Sequence, residues 1–348
     1  MFKILHNFLN RKKITHFCVH KLGNAGDNVL FNETRNLFDL FIGKSSWIKK
    51  PVRHYCSPKM ISLINKNNDA IIVGGGGLLL KDTAANNNSG WQWNCPVESL
   101  EKIDIPLIIF AIGYNRFYGQ DDFDEIFKTH IIKTVNKASF FGLRNFGSIA
   151  SLKEYLPNDL HSKLMMQPCP TTLLSYIYPQ KFNKTNRTKY LAVNLAFDRL
   201  EQRYGKNIEQ ILDSVSRAIL ILQKMGWKID YVKHSKNDEY ALSYLNKNNI
   251  TYNYVNLDKK SPKKVINYYR KVPITIGMRG HSQMIPYGLQ NNIISLISHP
   301  KLLYFLKDIG CTDWAIDINS KELCDQIMYK VNDIGFENWS LNNHKLIE

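Results

Sequence analysis

At 348 residues, with roughly 150 per domain, the chain is long enough for two domains and a sizeable core, which excludes a disulfide-stapled miniprotein. A composition of 44% hydrophobic, 12% aromatic and 22% charged residues excludes a disordered tether. The balance of 46 Lys+Arg against 30 Asp+Glu, formally +16, attracts phosphates, nucleic acid or an anionic membrane surface without choosing among them, and part of it is the lysine, Asn and Ile mix that A/T-rich codons produce.

The chain opens with Phe2, Leu5, Phe8 and Leu9 on one side of a helix that ends in Arg11-Lys12-Lys13. Such a helix, within residues 1–13, suits peripheral contact with an anionic bilayer, although docking on its own domain is the commoner fate. No run approaches the roughly 20 apolar residues of a membrane span and no secretory cleavage signal follows, so the expectation is a cytoplasmic protein, at most peripheral to the inner membrane face. The six cysteines, Cys18, Cys56, Cys95, Cys169, Cys311 and Cys324, form no CxxC pair and no zinc-ligand spacing; free thiols and no metal are expected.

A short apolar run that stops at a Gly-rich or polar loop and opens an amphipathic helix recurs along the chain, which is the βα signature of a parallel sheet. Thr15 to Val19 leads into Gly23-Asn24-Ala25-Gly26-Asp27, Ala70 to Val73 into Gly74-Gly75-Gly76-Gly77, Leu107 to Ile112 into Gly113, and Phe140 to Leu143 into Arg144-Asn145. The polar, aperiodic segment Pro179 to Lys189 reads as a linker. Beyond it come a strand Tyr190 to Leu195, a helix Ile208 to Met225, a strand Ile229 to Val232 running up to His234, a helix Asp238 to Leu245, and a helix opening at Ser261-Pro262. A strand Ile274 to Ile276 leads into Gly277-Met278-Arg279-Gly280-His281, and Ile293 to Ile297 with Leu302 to Leu306 closes the second sheet. The expected architecture is α/β and GT-B-like, with two Rossmann-like domains, 1–180 and 181–320, facing a central cleft and a helical tail, 321–348, folding back over the first domain.

In open parallel sheets ligands bind outside the carboxyl ends of the strands, where loops converge and helix N-termini offer unsatisfied N–H groups. The candidates are therefore strand-end residues. Asn24 and Asp27 lie in a glycine loop where Asp27 caps a helix or holds a hydroxyl; Gly75 and Gly76 belong to a glycine run that suits close approach of a ligand, the alternative being sheet packing. Trp91 and Trp93 interleave with amides as in a carbohydrate-facing loop, or else anchor the loop on its own domain. His234 stands at a strand end. Arg144 and Arg279 follow one strand in each half, and their planar forks suit a small, highly charged anion; Gly280 and His281 follow Arg279 directly. Dispersed basic residues without an aromatic-interleaved strand or recognition helix argue against nucleic acid.

In this order, Gly23-Asn24-Ala25-Gly26-Asp27, Val73-Gly74-Gly75-Gly76-Gly77, Gly142-Leu143-Arg144-Asn145, and Met278-Arg279-Gly280-His281 with Pro286-Tyr287-Gly288 together resemble the polysaccharide pyruvyl transferase family, from about Cys18 to about Gly310. The resemblance implies transfer of the pyruvyl group of phosphoenolpyruvate to a sugar as a cyclic ketal, with a glycan acceptor, no further cofactor, and donor binding by Arg144, Arg279 and His281. Leu289-Gln290-Asn291-Asn292-Ile293 lacks the proline often found there in the family, which leaves acceptor choice open. His281 is expected as proton donor or phosphate ligand, Asp27 as the group that orients or deprotonates an acceptor hydroxyl, and Arg279→Lys is expected to keep the fold while losing most turnover. The alternatives are a GT-B glycosyltransferase using a sugar nucleotide and a carbohydrate-binding scaffold without turnover.

Overall fold

A computed structural model describes residues 11–19, 23–179 and 189–334 of the chain. Most of the predicted N-terminal helix, nearly all of the predicted linker and the end of the tail lie outside these residues. The chain divides into two compact units.

Unit 1 takes in Met1–His20, Leu30–Arg116 and Gln120–Pro170. Its sheet consists of β1 (Lys13–Cys18), β2 (Ser46–Pro51), β3 (Ala70–Leu79), β4 (Leu107–Tyr114), β5 (Phe140–Leu143) and β6 (Leu164–Met166), all parallel, in the order β2-β1-β3-β4-β5-β6. The central strands β3 and β4 are buried almost throughout, as their continuous apolar runs require of a sheet covered on both faces. Edge strand β2 escapes the sequence pattern because Lys49 and Lys50 replace an apolar run. The helices start where local chemistry starts them: Ser57 accepts from Met60 N, Asp124 from Phe127 N, and Asn145 from Ser148 N, each satisfying a donor left free in the first turn.

Unit 2 takes in Lys21–Val29, Phe117–Gly119 and Thr171–Glu348. Its parallel sheet has β7 (Tyr190–Asn194), β8 (Lys228–Lys233), β9 (Asn253–Asn256), β10 (Ile274–Gly277), β11 (Asn292–Ile297) and β12 (Ala315–Asp317) in the order β12-β11-β10-β7-β8-β9. The sheet thus ends on the short β12, while Leu302 and Leu306 lie in the helix Pro300–Asp308. Strand order reverses between β7 and β10, so the carboxyl ends of Asn194 and Gly277, which pair in register, form the topological switch point of this sheet.

Two expectations about boundaries change. The tail was expected over the first domain; instead Leu323, Ile327 and Val331 belong to the core of unit 2, where their helix, Leu323–Ile334, packs on Ile208–Lys224. Their spacing forms one apolar stripe, and the stripe of Ile211, Val215, Ile219 and Leu222 is its complement. Residues 21–29, placed by the sequence in a first domain ending at 180, group with unit 2. Gly23 N donates to Asp258 O at 3.2 Å and Ala25 N to His234 O at 2.9 Å, and Asn24 bridges to Ser235, so the loop is tied to the strand ends of β8 and β9.

Candidate active site

The switch point of unit 2 gathers the ends of β7, β8 and β10. Asn194, the last residue of β7, donates through Nδ2 to Val232 O at 2.8 Å and to Asp238 Oδ2 at 3.1 Å. Asp238 closes a capping box with Ser235 over a short 3-10 turn after β8, and its carboxylate also accepts from the backbone of His234 (3.0 Å) and Ser235 (3.1 Å). Against this fully buried carboxylate lies Arg279, whose Nε is 2.9 and 3.0 Å from the two oxygens and whose Nη2 is 2.5 Å from Oδ1. On its other side Arg279 Nη1 lies 2.8 Å from Asp198, which Arg203 also holds at 3.0 Å, and Arg203 Nη1 donates to Ser298 Oγ at 2.8 Å. The result is an Arg–Asp–Arg–Asp chain with matched charges, buried at Asp238 and Arg203 and part-exposed at Asp198. Burial pushes the Asp198 carboxyl upward, but Arg279 and Arg203 outweigh it and hold the group well below the usual carboxylate range. Burial disfavours the Arg279 cation, yet Asp238 and Asp198 raise its pKa further.

The sequence led us to expect Arg279 with its fork open to an anion; the structure engages that fork with two carboxylates. Asp238 and Asp198, with Arg203, were missed. Ser235-x-x-Asp238 after a strand is a visible capping signal, but nothing local shows that Asp238 meets a residue 41 positions away.

Beside this chain of charges, two helix starts converge. His281 opens His281–Gly288, and Gly26 and Asp27 lie in the first turn of Ala25–Ile42, whose Asn24 Oδ1 accepts from Gly26 N (3.0 Å) and Asp27 N (3.3 Å). Asn24, expected to bind substrate, is the helix cap here. A Cβ on Gly26 would fall 2.3 Å from His281 Cβ and Nδ1, so only glycine allows this approach. His281 Nδ1 lies 3.9 Å from Asp27 Oδ1, with 12% and 27% of the two side chains exposed. A Cβ on Gly280 meets nothing within 4 Å, so the space beside this pair is open.

The remaining candidates fall elsewhere. His234 is fully buried, with Nε2 2.6 Å from the Tyr269 hydroxyl, and burial, then the charges of Arg279 and His281, lower its pKa to about 3. It is a neutral core residue, contrary to the expectation of substrate binding. Trp91 and Trp93 are also fully buried, 5.7 Å apart, with Trp91 Nε1 donating to His130 Nδ1 at 3.0 Å. The amides around them serve their own loop: Asn86 accepts from Asn88 N and Ser89 N, and Asn88 donates to Asn94. These indoles cannot stack on a sugar, because the largest apolar groups of the loop gain most by entering the core. In the glycine run, Gly75 and Gly76 are buried at φ +79° and +99°, a left-handed region that favours glycine, and a Cβ on Gly74 would strike the Phe110 carbonyl at 2.0 Å. Sheet geometry by itself therefore accounts for these glycines. Arg144, in unit 1, is largely buried; it lies over Gly113, where a Cβ would fall 2.2 Å from Nε, and donates through Nη2 to Asn115 Oδ1 at 2.6 Å. Ala111, two residues before Gly113, takes φ +51° where the register of β4 with β5 shifts, a local strain beside this arginine.

Burial is the chief cause of lowered pKa values at His16 (about 3), His130 (about 4) and His234 (about 3). All three are neutral in the fold, whereas unfolding frees them to bind a proton at the ordinary value of about 6.5. The unfolded state thus binds more protons between about pH 3 and 6.5, so stability rises with pH across that window. Melting temperatures followed by circular dichroism are expected to fall steadily on acidification from about pH 6.5 to 4.

Among the described residues no group of three or more His, Cys, Asp or Glu is placed to hold a metal ion, all six cysteines are free, and no helix is long and apolar enough to cross a membrane. Among solved structures the chain is similar to S. aureus MnaA, solved with UDP (12% identity, 96% of this chain and 90% of that one, TM-score 0.55). It is also similar to a Methanocaldococcus jannaschii UDP-GlcNAc 2-epimerase solved with UDP-GlcNAc and UDP (11% identity, 94% of each chain, TM-score 0.54). At such identities the likeness shows the fold, which is of the GT-B type. No curated protein matches the chain. A family model described as polysaccharide pyruvyl transferase matches residues 7–290, which contain every strand-end motif discussed above from the Asn24 loop to His281, and the chain therefore belongs to the polysaccharide pyruvyl transferase family.

Proposed function

We propose that the protein transfers the pyruvyl group of phosphoenolpyruvate to a sugar of a surface polysaccharide or of its lipid-linked precursor, closing a ketal over two hydroxyls. The observation that carries this reading is the His281–Asp27 pair, 3.9 Å apart and partly exposed at two converging helix starts, in a chain of this family. Helix N-termini favour an anion, and phosphoenolpyruvate is a small one of close to three negative charges. His281 gives a proton to the methylene carbon, making the neighbouring carbon electrophilic. The first sugar hydroxyl adds there and loses its proton to Asp27; phosphate then leaves with its bridging oxygen, and the second hydroxyl adds to the same carbon and loses its proton in turn. Arg279 keeps its Nε and Nη2 edge on Asp238, and donor anion replaces Asp198 at Nη1.

Calorimetric titration with phosphoenolpyruvate against a panel of nucleotides, UDP included, tests the donor. Saturable heat with phosphoenolpyruvate and none with nucleotides is expected; the reverse result would turn the reading into a sugar-nucleotide enzyme. Gly280→Ala gives a second, local test. A methyl group there meets no protein atom and replaces glycine in a helical conformation, so stability is expected to be equal or up to about 1 kcal/mol higher. Donor KM, in contrast, is expected to rise at least about ten-fold, a loss of about 1.4 kcal/mol, because the open space is where the donor sits. Unchanged kinetics would move the donor away from Gly280.

A further inference from the structure

We propose that the corner of unit 1 between the end of the helix Ala25–Ile42 and the start of β2 docks on an anionic bilayer surface. Leu40, Phe41 and Ile42 end that helix with 54%, 69% and 51% of their surface exposed. Phe38, one turn earlier, packs inward on Phe110, whereas these three successive residues fan over about 200° of the helix circumference and all reach solvent. Scattered exposed apolar residues are ordinary, but a contiguous group at one projecting point marks a contact surface.

The corner is held in shape. Gly43, at φ +82°, ends the helix, and the Asp39 carboxylate accepts from Ser45 N (3.1 Å) and Trp47 Nε1 (3.0 Å) while pairing with Lys44 at 3.7 Å. Trp47 packs edge-on against Phe38, with ring centroids 6.0 Å apart. A corner fixed in this way loses little conformational entropy on docking.

The charge around it selects the partner. Ser46 N donates to Lys12 O at 2.8 Å and Lys13 pairs with Ser46 in register, so the exposed run Arg11-Lys12-Lys13 borders the same corner as Lys44, and Lys49 is exposed on the adjoining edge strand. Asp39 and Asp69 are the acidic groups paired with Lys44 and Lys12 there, so the corner is net cationic. Apolar side chains rimmed by cations match the interior boundary and headgroup layer of an anionic membrane. A soluble protein partner would need a complementary acidic rim; a phosphate-rich bilayer supplies both layers at once.

The test is co-sedimentation of the full chain with vesicles of phosphatidylglycerol and phosphatidylcholine, or of phosphatidylcholine alone. Binding to the anionic vesicles that weakens with salt, and little to the neutral ones, is expected. Leu40→Ser/Phe41→Ser/Ile42→Ser is expected to lower the partition at least about ten-fold at unchanged melting temperature, and Lys44→Glu several-fold with a shallower salt dependence. No wild-type binding, or equal binding by the triple variant, overturns the proposal. So does loss of binding on replacing Phe2, Leu5, Phe8 and Leu9 by serine while the triple variant still binds, which would assign the contact to the preceding segment. A wild-type dimer that Phe41→Ser converts to monomer, with vesicles left unbound, overturns it in favour of self-association. Phosphate release with a soluble acceptor, followed in parallel, keeps this result separate from the catalytic reading.

Discussion

Arg279→Lys is expected to cut turnover by about a hundred-fold or more and, contrary to what the sequence suggested, to lower the melting temperature as well. An ammonium is a point charge that cannot span both oxygens of the buried Asp238 and reach Asp198 with a third N–H, so one side of the charge chain opens. Removing one member of a buried pair costs about 3–5 kcal/mol; because lysine keeps the charge, about 1–3 kcal/mol is expected here. The kinetic loss has a separate origin, the Nη1 site that the donor is proposed to take from Asp198. Thermal unfolding and phosphate release, measured well below the lowered melting point, separate the two. A variant that melts earlier but releases phosphate at the wild-type rate would reduce Arg279 to a structural residue and remove it from the donor site.

His281→Gln is expected to spare the fold and lower kcat by about 10²- to 10⁴-fold, the usual worth of a positioned proton donor. Glutamine fills much of the space that the ring occupies against Gly26, so the convergence of the two helix starts is kept. The pH profile identifies the role. A general acid must be protonated to act, so wild-type kcat falls as pH rises through its pKa, and this limb is expected to vanish in the variant. If donor KM rises while the limb persists, His281 binds phosphate and another group delivers the proton. Turnover within a few-fold of wild type would discard the histidine from the mechanism altogether.

Much of the candidate site was legible because strand ends are legible. Apolar runs that stop at glycine or a polar residue locate the carboxyl ends of β1, β5, β8 and β10, and residues there must sit on the ligand side of a parallel sheet. That is why His281 and Asp27 could be named before any contact was known. Residue type misleads where burial decides the side chain's role. An amide-and-tryptophan loop has the composition of a sugar platform, yet Trp91 and Trp93 gain more from the core than from solvent, and composition cannot report which way an indole turns. His234 misleads likewise: a strand-end position identifies its backbone, whose carbonyl accepts from Ala25 N, while its ring enters the core against Tyr269.

The sequence by itself determined the βα repeat, the two parallel sheets and the ordered motifs of the family, because each of these is written in periodicity and in residues a few positions apart. Only the tertiary structure decided that Arg279 is sheathed by Asp238 and Asp198, that the Asn24 loop is bonded to the second sheet's strand ends, and that the tail helix packs on Ile208–Lys224. Those pairings join residues far apart in the chain, and their partners are chosen by sheet register and by competition for burial, quantities that belong to the packed molecule and to no local stretch of it.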